Sequence, residues 1–127
     1  MMQRRLGFFA TMVLLSGTPA LAHHSGAMFD RTQTVVLTGT VKQYQFTNPH
    51  VWLEMIVPGK DKREVQWSIE GEGPSIMARM GLGPSVVKAG DKVTVRAHPL
   101  RDGRPGGSFI SITLPTGKVI MPTPPRL

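Results

Sequence analysis

The chain has 127 residues, of which 40% are hydrophobic and 18% are charged, so its length allows one folded domain. Lysines and arginines number 15 against 8 acidic residues, which gives a formal net charge of +7, and there is no cysteine. These values exclude a multidomain enzyme, a disulfide framework and metal sites built on thiolates.

The first 22 residues have the pattern of a secretory signal peptide. Arg4 and Arg5 precede an apolar run over residues 6–15, and Ala20 and Ala22 stand at the small-residue positions of a cleavage site. An uncleaved membrane anchor is the alternative, but the run is too short to span a bilayer. Cleavage after Ala22 predicts a periplasmic or secreted protein, lowers the net charge from +7 to +5 by removing both arginines, and disfavours nucleic acid as the partner.

The remaining chain divides into three parts. We expect residues 23–33 to be an N-terminal arm, residues 34–121 to be the folded domain and the proline-rich residues 122–127 to be an extended tail. Within the domain, short β-branched runs separated by turn residues are typical of all-β proteins. Strands are predicted over residues 35–46, 50–57, 64–70, 92–98 and 108–114, with 118–121 as a further candidate.

One segment between the third and fourth strands has a helical pattern. Pro74 stands at a favourable first position, apolar residues follow at helical spacing, and Gly81 provides a stop. Three strands, a short helix and two or three further strands are the order of a small OB-like barrel of five to six strands, with an open sandwich as the alternative. Gly39 predicts the bulge or bend that lets the long first strand serve both halves of such a barrel.

The second and third strands are predicted to form a hairpin around residues 58–62. The simplest antiparallel register pairs residues whose numbers sum to about 120, which places His50 opposite Glu70. Side chains alternate along a strand, so Val51, Leu53, Met55, Val57, Val65, Trp67 and Ile69 face the core. The opposite face carries His50, Trp52, Glu54, Gln66, Ser68 and Glu70, and it is either a solvated sheet surface or a ligand site.

The predicted mature terminus supplies further nitrogen donors. Cleavage after Ala22 would let the α-amine and the imidazole of His23 chelate one metal ion, with His24 directly behind. Both donors lose their protons near neutral pH, and planar nitrogen donors favour Cu(II), which heads the affinity series of divalent ions. A third nitrogen would come from His50 or His24. There are two alternatives. The terminal amine, a deprotonated amide and the imidazole of His24 could form a local chelate, or the terminus could bind no metal.

Methionine thioethers are soft ligands that suit Cu(I). The mature chain has five methionines, Met28, Met55, Met77, Met80 and Met121. Met55 and Met77 fit core positions better, and of the five we take Met28 as the candidate. His98 has outward parity on the fourth strand, and we interpret it as a surface residue rather than a further ligand.

The chain resembles a family of small exported bacterial proteins of unknown function, whose members begin after the signal with His-His-Ser and carry a Thr-Asn-Pro-His-x-Trp motif. Here these motifs stand at residues 23–25 and 47–52. The similarity extends over nearly the whole mature chain, although Gly26 and Leu82 replace an aromatic residue and a tryptophan of the family pattern. The resemblance implies export and a small β-barrel, and it implies no particular activity.

These observations favour a non-catalytic binding or carrier module that holds copper. The predicted metal ligands are His23, His24 and His50, with Glu70 as an acceptor behind the ligands and Trp52, Glu54 and Ser68 on the same face. An enzyme is not expected, because the sequence lacks a cysteine nucleophile, a Gly-x-Ser-x-Gly elbow and a phosphate-binding loop.

The alternative is a metal-free interaction module that binds an envelope protein or an anionic ligand. In this hypothesis Trp52 is the anchor, because tryptophan is enriched among the residues that dominate binding energy. Lys42, Arg96 and Arg101 would attract the anionic partner.

Overall fold

A computed structural model describes residues 26–122 of the chain. The predicted signal peptide, His23, His24 and most of the predicted tail lie outside the described residues. The elements are a 3₁₀ turn Gly26–Met28, β1 Val35–Gln45, β2 Trp52–Pro58, β3 Glu64–Glu70, α1 Pro74–Met80, β4 Lys92–Pro99, β5 Gly106–Thr113 and β6 Val119–Ile120. Within this part of the chain, no helix has the length and apolar character needed to cross a membrane.

The strands form one sheet that closes on itself. Their order is β3-β2-β1-β4-β5-β6, and β5 also pairs in parallel with β3, where Ile69 lies opposite Gly107. Five strands therefore make a closed barrel, and β6 adds a short extra strand beside β5. The predicted all-β barrel with a short helix between the third and fourth strands is confirmed.

Strand β1 belongs to both halves of the barrel. Its first half pairs with β4 and its second half with β2, and the two pairings meet at Thr40. Next to this point the backbones approach so closely that a Cβ atom on Gly39 would lie 2.2 Å from the carbonyl oxygen of Ile56. The irregularity in register lies further along, between Val41 and Gln43. Gly39 thus permits the close approach of two strands, and the predicted bulge occurs after it.

The helix covers one end of the barrel. Met77 on α1 is buried with Leu82 in the same apolar cluster as the strand residues. The helix ends at Gly81, whose φ of 98° is the left-handed conformation that glycine adopts at helix C-termini. The single tyrosine, Tyr44, donates a 2.8 Å hydrogen bond from its hydroxyl to the carbonyl oxygen of Leu82, and this bond ties the end of β1 to the segment after the helix.

The predicted register of the β2–β3 hairpin is wrong by two residues. Trp52, not His50, lies opposite Glu70, and Pro58 lies opposite Glu64. The connection is a wider turn than expected, closed by a 2.7 Å hydrogen bond from the Gly59 amide to the Arg63 carbonyl. Because side chains alternate with a period of two, a two-residue shift leaves both faces as predicted. Leu53, Met55 and Val57 of β2 are buried in the core, and Trp67 of β3 packs against it partly exposed.

Candidate functional site

His50 lies in the loop just before β2, on the outward face of the hairpin. The hydroxyl of Thr47 donates a 3.0 Å hydrogen bond to the His50 carbonyl. The following residue, Val51, donates its amide to the Glu72 carbonyl at 2.9 Å and accepts from the Gly71 amide at 2.8 Å. These bonds join the loop before β2 to the segment after β3, so the backbone of His50 is fixed relative to the end of β3.

The imidazole of His50 contacts the carboxylate of Glu70 through Nδ1 and Oε1. The two residues are not directly opposed, but they share a face, and the histidine side chain reaches the carboxylate diagonally from two residues before Trp52. Their side chains are 29% and 12% exposed, so Glu70 is the more enclosed of the two. An ionised carboxylate only accepts hydrogen bonds, so Nδ1 is the donor in this contact when Glu70 is charged.

This arrangement determines which ring nitrogen of His50 can act on a ligand. With Nδ1–H donated to Glu70, Nε2 is the nitrogen through which the ring would coordinate a metal ion. Metal-binding histidines commonly donate their other N–H to a carboxylate, which fixes the ring and makes the coordinating nitrogen more basic. The His50–Glu70 contact has this form.

The pair borders an open cleft of about 210 Å³. The cleft lies between the barrel and residues 26–34, which precede β1 and are called the N-terminal segment. Glu72 lies on the barrel side, and Gly26, Met28 and Arg31 line the cleft from the N-terminal segment. Gly26, the first described residue, lines this cleft, and the predicted ligands His23 and His24 precede it in the sequence.

The N-terminal segment is held by contacts that the sequence analysis did not identify. Phe29 is buried and pairs with Leu100, and the amide of Asp30 donates to the Pro99 carbonyl at 2.8 Å. Arg101 donates its amide to the Met28 carbonyl at 2.9 Å and its Nε to the carbonyl oxygen of the preceding alanine at 3.0 Å. The short apolar run Ala27-Met28-Phe29 before a polar stretch is the sequence signal for this docking.

Asp30 closes the turn that follows Phe29. Its carboxylate accepts hydrogen bonds from the amide of Thr32 at 3.0 Å and from the Thr32 hydroxyl at 2.6 Å. These bonds favour the ionised form, so the side-chain hydroxyl of Thr32, followed by its amide, lowers the pKa of Asp30. The turn directs the chain from the cleft into β1.

A second cleft of about 390 Å³ adjoins the first and is more apolar. Trp52 and Ser68 lie on its barrel side, and Leu100 and Arg104 border it from the loop between β4 and β5. Met28, Phe29 and Glu70 line both clefts. Together the clefts occupy the face of strands β2 and β3 between the loop before β2 and the loop after β4.

Glu54 and Ser68 share the outward face but do not join His50. The Ser68 hydroxyl donates to Glu54 Oε1 at 2.6 Å, and Gln66 donates to the other carboxylate oxygen at 3.1 Å. Lys42 extends this series by donating to the Gln66 side-chain oxygen at 2.7 Å. These four residues form a hydrogen-bonded row across β1, β2 and β3, and Glu54 does not line the cleft that contains His50.

The structure does not gather the predicted basic residues around Trp52. Lys42 is engaged in the row just described, Arg101 holds the N-terminal segment, and neither they nor Arg96 line the Trp52 cleft. Arg104, which the sequence analysis did not consider, lies there instead.

The remaining sequence candidates are distributed as follows. His98 lines neither cleft and contacts the Gln33 carbonyl through Nδ1 at 2.8 Å. Met55 and Met77 are buried in the core. Among residues 26–122 no three histidine, aspartate or glutamate side chains form a group that could hold a metal ion, and His23 and His24 lie outside this range.

Comparison with known proteins gives a family and a fold. The sequence profile of a family of unknown function, DUF6152, matches residues 11–109. No curated protein sequence matches the chain. A mitochondrial single-stranded DNA-binding protein from S. cerevisiae has a similar structure, with a TM-score of 0.50 and 13% sequence identity over 65% of this chain and 92% of that one. The likeness extends to the fold alone, which is an OB-type barrel.

Proposed function

The chain belongs to the DUF6152 family, which has no assigned function, and we propose that it is an exported, non-catalytic binding module that holds copper. The proposed ligands are Nε2 of His50 together with the α-amine and imidazole of His23, with His24 adjacent. An OB-type barrel is compatible with a binding module, because such barrels bind ligands on the face of their second and third strands. His50 and Glu70 lie on this face.

The observation that carries the proposal is the His50–Glu70 contact beside the polar cleft. The carboxylate orients the ring and supports the basicity of the nitrogen that would meet the metal ion. A histidine on an ordinary solvated face would not require a largely enclosed carboxylate behind it. The pair therefore favours the ligand interpretation over the solvated-surface interpretation.

Chain connectivity supports a contribution from the predicted mature terminus. Three peptide units separate His23 from Gly26, and an extended chain covers at most about 3.6 Å per residue, so His23 is tethered within about 11 Å of the cleft. A tether this short gives the terminal donors a high effective concentration near His50. Nitrogen donors of this kind favour Cu(II) over the other divalent ions of the first transition series.

The test begins with protein purified from the periplasm, so that its intact mass identifies the first residue. We expect the mass of a chain that starts at His23 and one equivalent of Cu(II) in a titration. His50→Ala should weaken Cu(II) binding by at least about tenfold, since it removes one donor of the chelate. Equal Cu(II) affinity in the wild type and the His50→Ala protein would contradict a site that depends on the fold.

Two controls separate this site from nonspecific binding. His98→Ala removes a histidine that lines neither cleft and should leave the Cu(II) affinity unchanged. A protein whose α-amine is acetylated keeps every imidazole but loses the amine as a donor. The acetylated protein should bind Cu(II) more weakly than the wild type, and unchanged binding would exclude the amine as a ligand.

The second cleft favours a different candidate function, an interaction module that binds a protein partner without metal. Its walls combine Trp52 and Leu100 with the cationic Arg104, and aromatic and arginine side chains dominate the binding energy of many interfaces. In this case Trp52→Ala should abolish recovery of a partner from a periplasmic extract, whereas chelators should not. Unchanged recovery with Trp52→Ala would exclude this candidate.

A further inference from the structure

Met28 is an exposed apolar residue held in a fixed position. The residue is 47% exposed and lines both clefts, of which the first is also lined by His50 and Glu70 and the second by Trp52. The amide of Arg101 donates to the Met28 carbonyl at 2.9 Å, and the next residue, Phe29, is buried. The position of Met28 is therefore set by the docking of the N-terminal segment.

Packing does not explain a methionine at this position. Met55 and Met77 fill the core of the barrel, where a flexible apolar side chain contributes by burial. Met28 instead leaves much of its apolar surface in water, in a cleft whose other walls include a histidine, two glutamates and an arginine. The property that distinguishes methionine from other apolar residues in such surroundings is its thioether sulfur.

A thioether next to an imidazole is a donor pair for a soft cation. The sulfur is neutral and has no proton to lose, so it binds Cu(I) without competition from acid, whereas Cu(II) prefers nitrogen and oxygen donors. Imidazole binds copper in both oxidation states. Both residues line the same cleft, His50 from the loop before β2 and Met28 from the N-terminal segment.

We infer that Met28 Sδ and His50 Nε2 form a Cu(I)-binding pair in this cleft. The inference deepens the proposed function, on which it rests for the role of His50, and it gives Met28 the role of accepting the reduced ion. Cu(II) is held by the terminal nitrogens and His50, and Cu(I) by the sulfur and His50. Met28 thus determines whether the site retains copper in both oxidation states.

The test uses Ag(I), which has the charge and soft character of Cu(I) but does not change oxidation state in air. Protein labelled with ¹³C at the methionine methyl groups is titrated with Ag(I) and observed by NMR, and the Met28→Leu variant identifies the Met28 signal. We expect this signal to shift on addition of one equivalent of Ag(I). Competition with a Cu(I) chelator should show a loss of at least tenfold in Cu(I) affinity for Met28→Leu, with Cu(II) affinity unchanged.

Met121→Leu is the matched control, because Met121 is 52% exposed but lines neither cleft. Its loss should leave Ag(I) and Cu(I) binding as in the wild type. The inference is overturned if the Met28 signal does not move, or if Met28→Leu and Met121→Leu bind Cu(I) equally. Failure of the proposed Cu(II) site has a different result, which is equal Cu(II) affinity in the wild type and the His50→Ala protein. The NMR shift of Met28 with Ag(I) does not depend on that measurement.

Discussion

Glu70 and Glu54 project from the same face of the β2–β3 hairpin, yet their carboxylates have different partners. Glu54 accepts hydrogen bonds from Ser68 and Gln66, whereas Glu70 contacts the imidazole of His50. The difference follows from position along the strands, because Glu70 is the last residue of β3 and only there does the loop before β2 come within reach. A carboxylate at this point controls the orientation of the ring.

Glu70→Gln is expected to weaken Cu(II) binding by about 10- to 100-fold without unfolding the barrel, since residues behind a metal ligand have effects of this size. The amide keeps the shape of the side chain but loses the charge that favours a protonated Nδ1. Isothermal titration measures the Cu(II) affinity, and circular dichroism shows whether the barrel is still folded. Glu54→Gln is the matched control and should bind Cu(II) normally; equal losses in the two variants would show that only net charge matters.

Tyr44 gives a prediction on the alkaline side. Burial raises the pKa of Tyr44 to about 12 from its ordinary value of 10.0, because the charged phenolate is poorly solvated in this position. The folded protein therefore keeps this proton between pH 10 and pH 12, where the unfolded chain releases it. The free-energy contribution of the neutral hydroxyl is complete below pH 10 and is lost as the pH rises towards 12.

The absorbance change of tyrosine ionisation near 295 nm reports this pKa directly, because the chain has one tyrosine. We expect a midpoint near pH 12 in the folded protein and near pH 10 in denaturant. Tyr44→Phe should abolish the signal and flatten the pH dependence of unfolding over the same range. A midpoint near pH 10 in the folded protein would mean that the hydroxyl is solvated.

At the scale of elements, β1 depends on the absence of a side chain at one residue. Gly39→Ala would place a methyl group 2.2 Å from a backbone oxygen of β2, and backbone atoms cannot move aside as the end of a long side chain can. We expect a loss of about 2–3 kcal/mol in the free energy of unfolding, as for overpacked core positions. Urea denaturation measures this loss.

Gly83→Ala serves as the control, because no atom lies within 4 Å of a Cβ at that position. It should change the stability by less than about 0.5 kcal/mol, in line with ordinary surface substitutions. If Gly39→Ala lowered the free energy of unfolding as little as Gly83→Ala, the close approach of β1 and β2 near Thr40 would not be required for stability.

The β2–β3 hairpin shows which part of an element can be predicted from sequence. Alternation along each strand is local, so residue type alone identified Leu53, Met55, Val57 and Ile69 as core residues. Val65, which was also expected in the core, is half-buried and lies outside the core cluster. The register depends on the conformation of the turn, where Lys62 adopts a φ of 64° and the Asp61 carboxylate accepts from the Arg63 amide at 3.1 Å. A lysine gives no sign in the sequence that it adopts a left-handed conformation, so the turn at Lys62 was not predicted. The predicted register therefore differs from the observed one by two residues.

At the scale of the whole molecule, the N-terminal segment is attached to the barrel but does not belong to its core. Phe29 is 7% exposed and Leu37 is 6% exposed, yet only Leu37 is a member of the central apolar cluster. Phe29 instead packs where the segment meets Leu100. We therefore expect the segment to open as a unit while the barrel stays folded.

We expect Leu37→Ala to lower the free energy of unfolding by about 2–5 kcal/mol, as for other buried leucines. Phe29→Ala should lower it by less than about 2 kcal/mol, because the loss is limited to the docking of the segment. The amides of residues 29–33 should nevertheless exchange with solvent much faster in Phe29→Ala. A global loss equal to that of Leu37→Ala would place the N-terminal segment within the cooperative unit.

The sequence by itself determined the order of the elements, the alternation of core and outward residues along β2 and β3, and the helix between Pro74 and Gly81. These features depend on local propensity and on the period of the side chains, which neighbouring residues encode. Only the tertiary structure decided that Phe29 and Arg101 attach the N-terminal segment to the barrel, and that Met28 therefore shares a cleft with His50. Such contacts join residues far apart in the chain, and barrel closure, rather than any local pattern, brings them together.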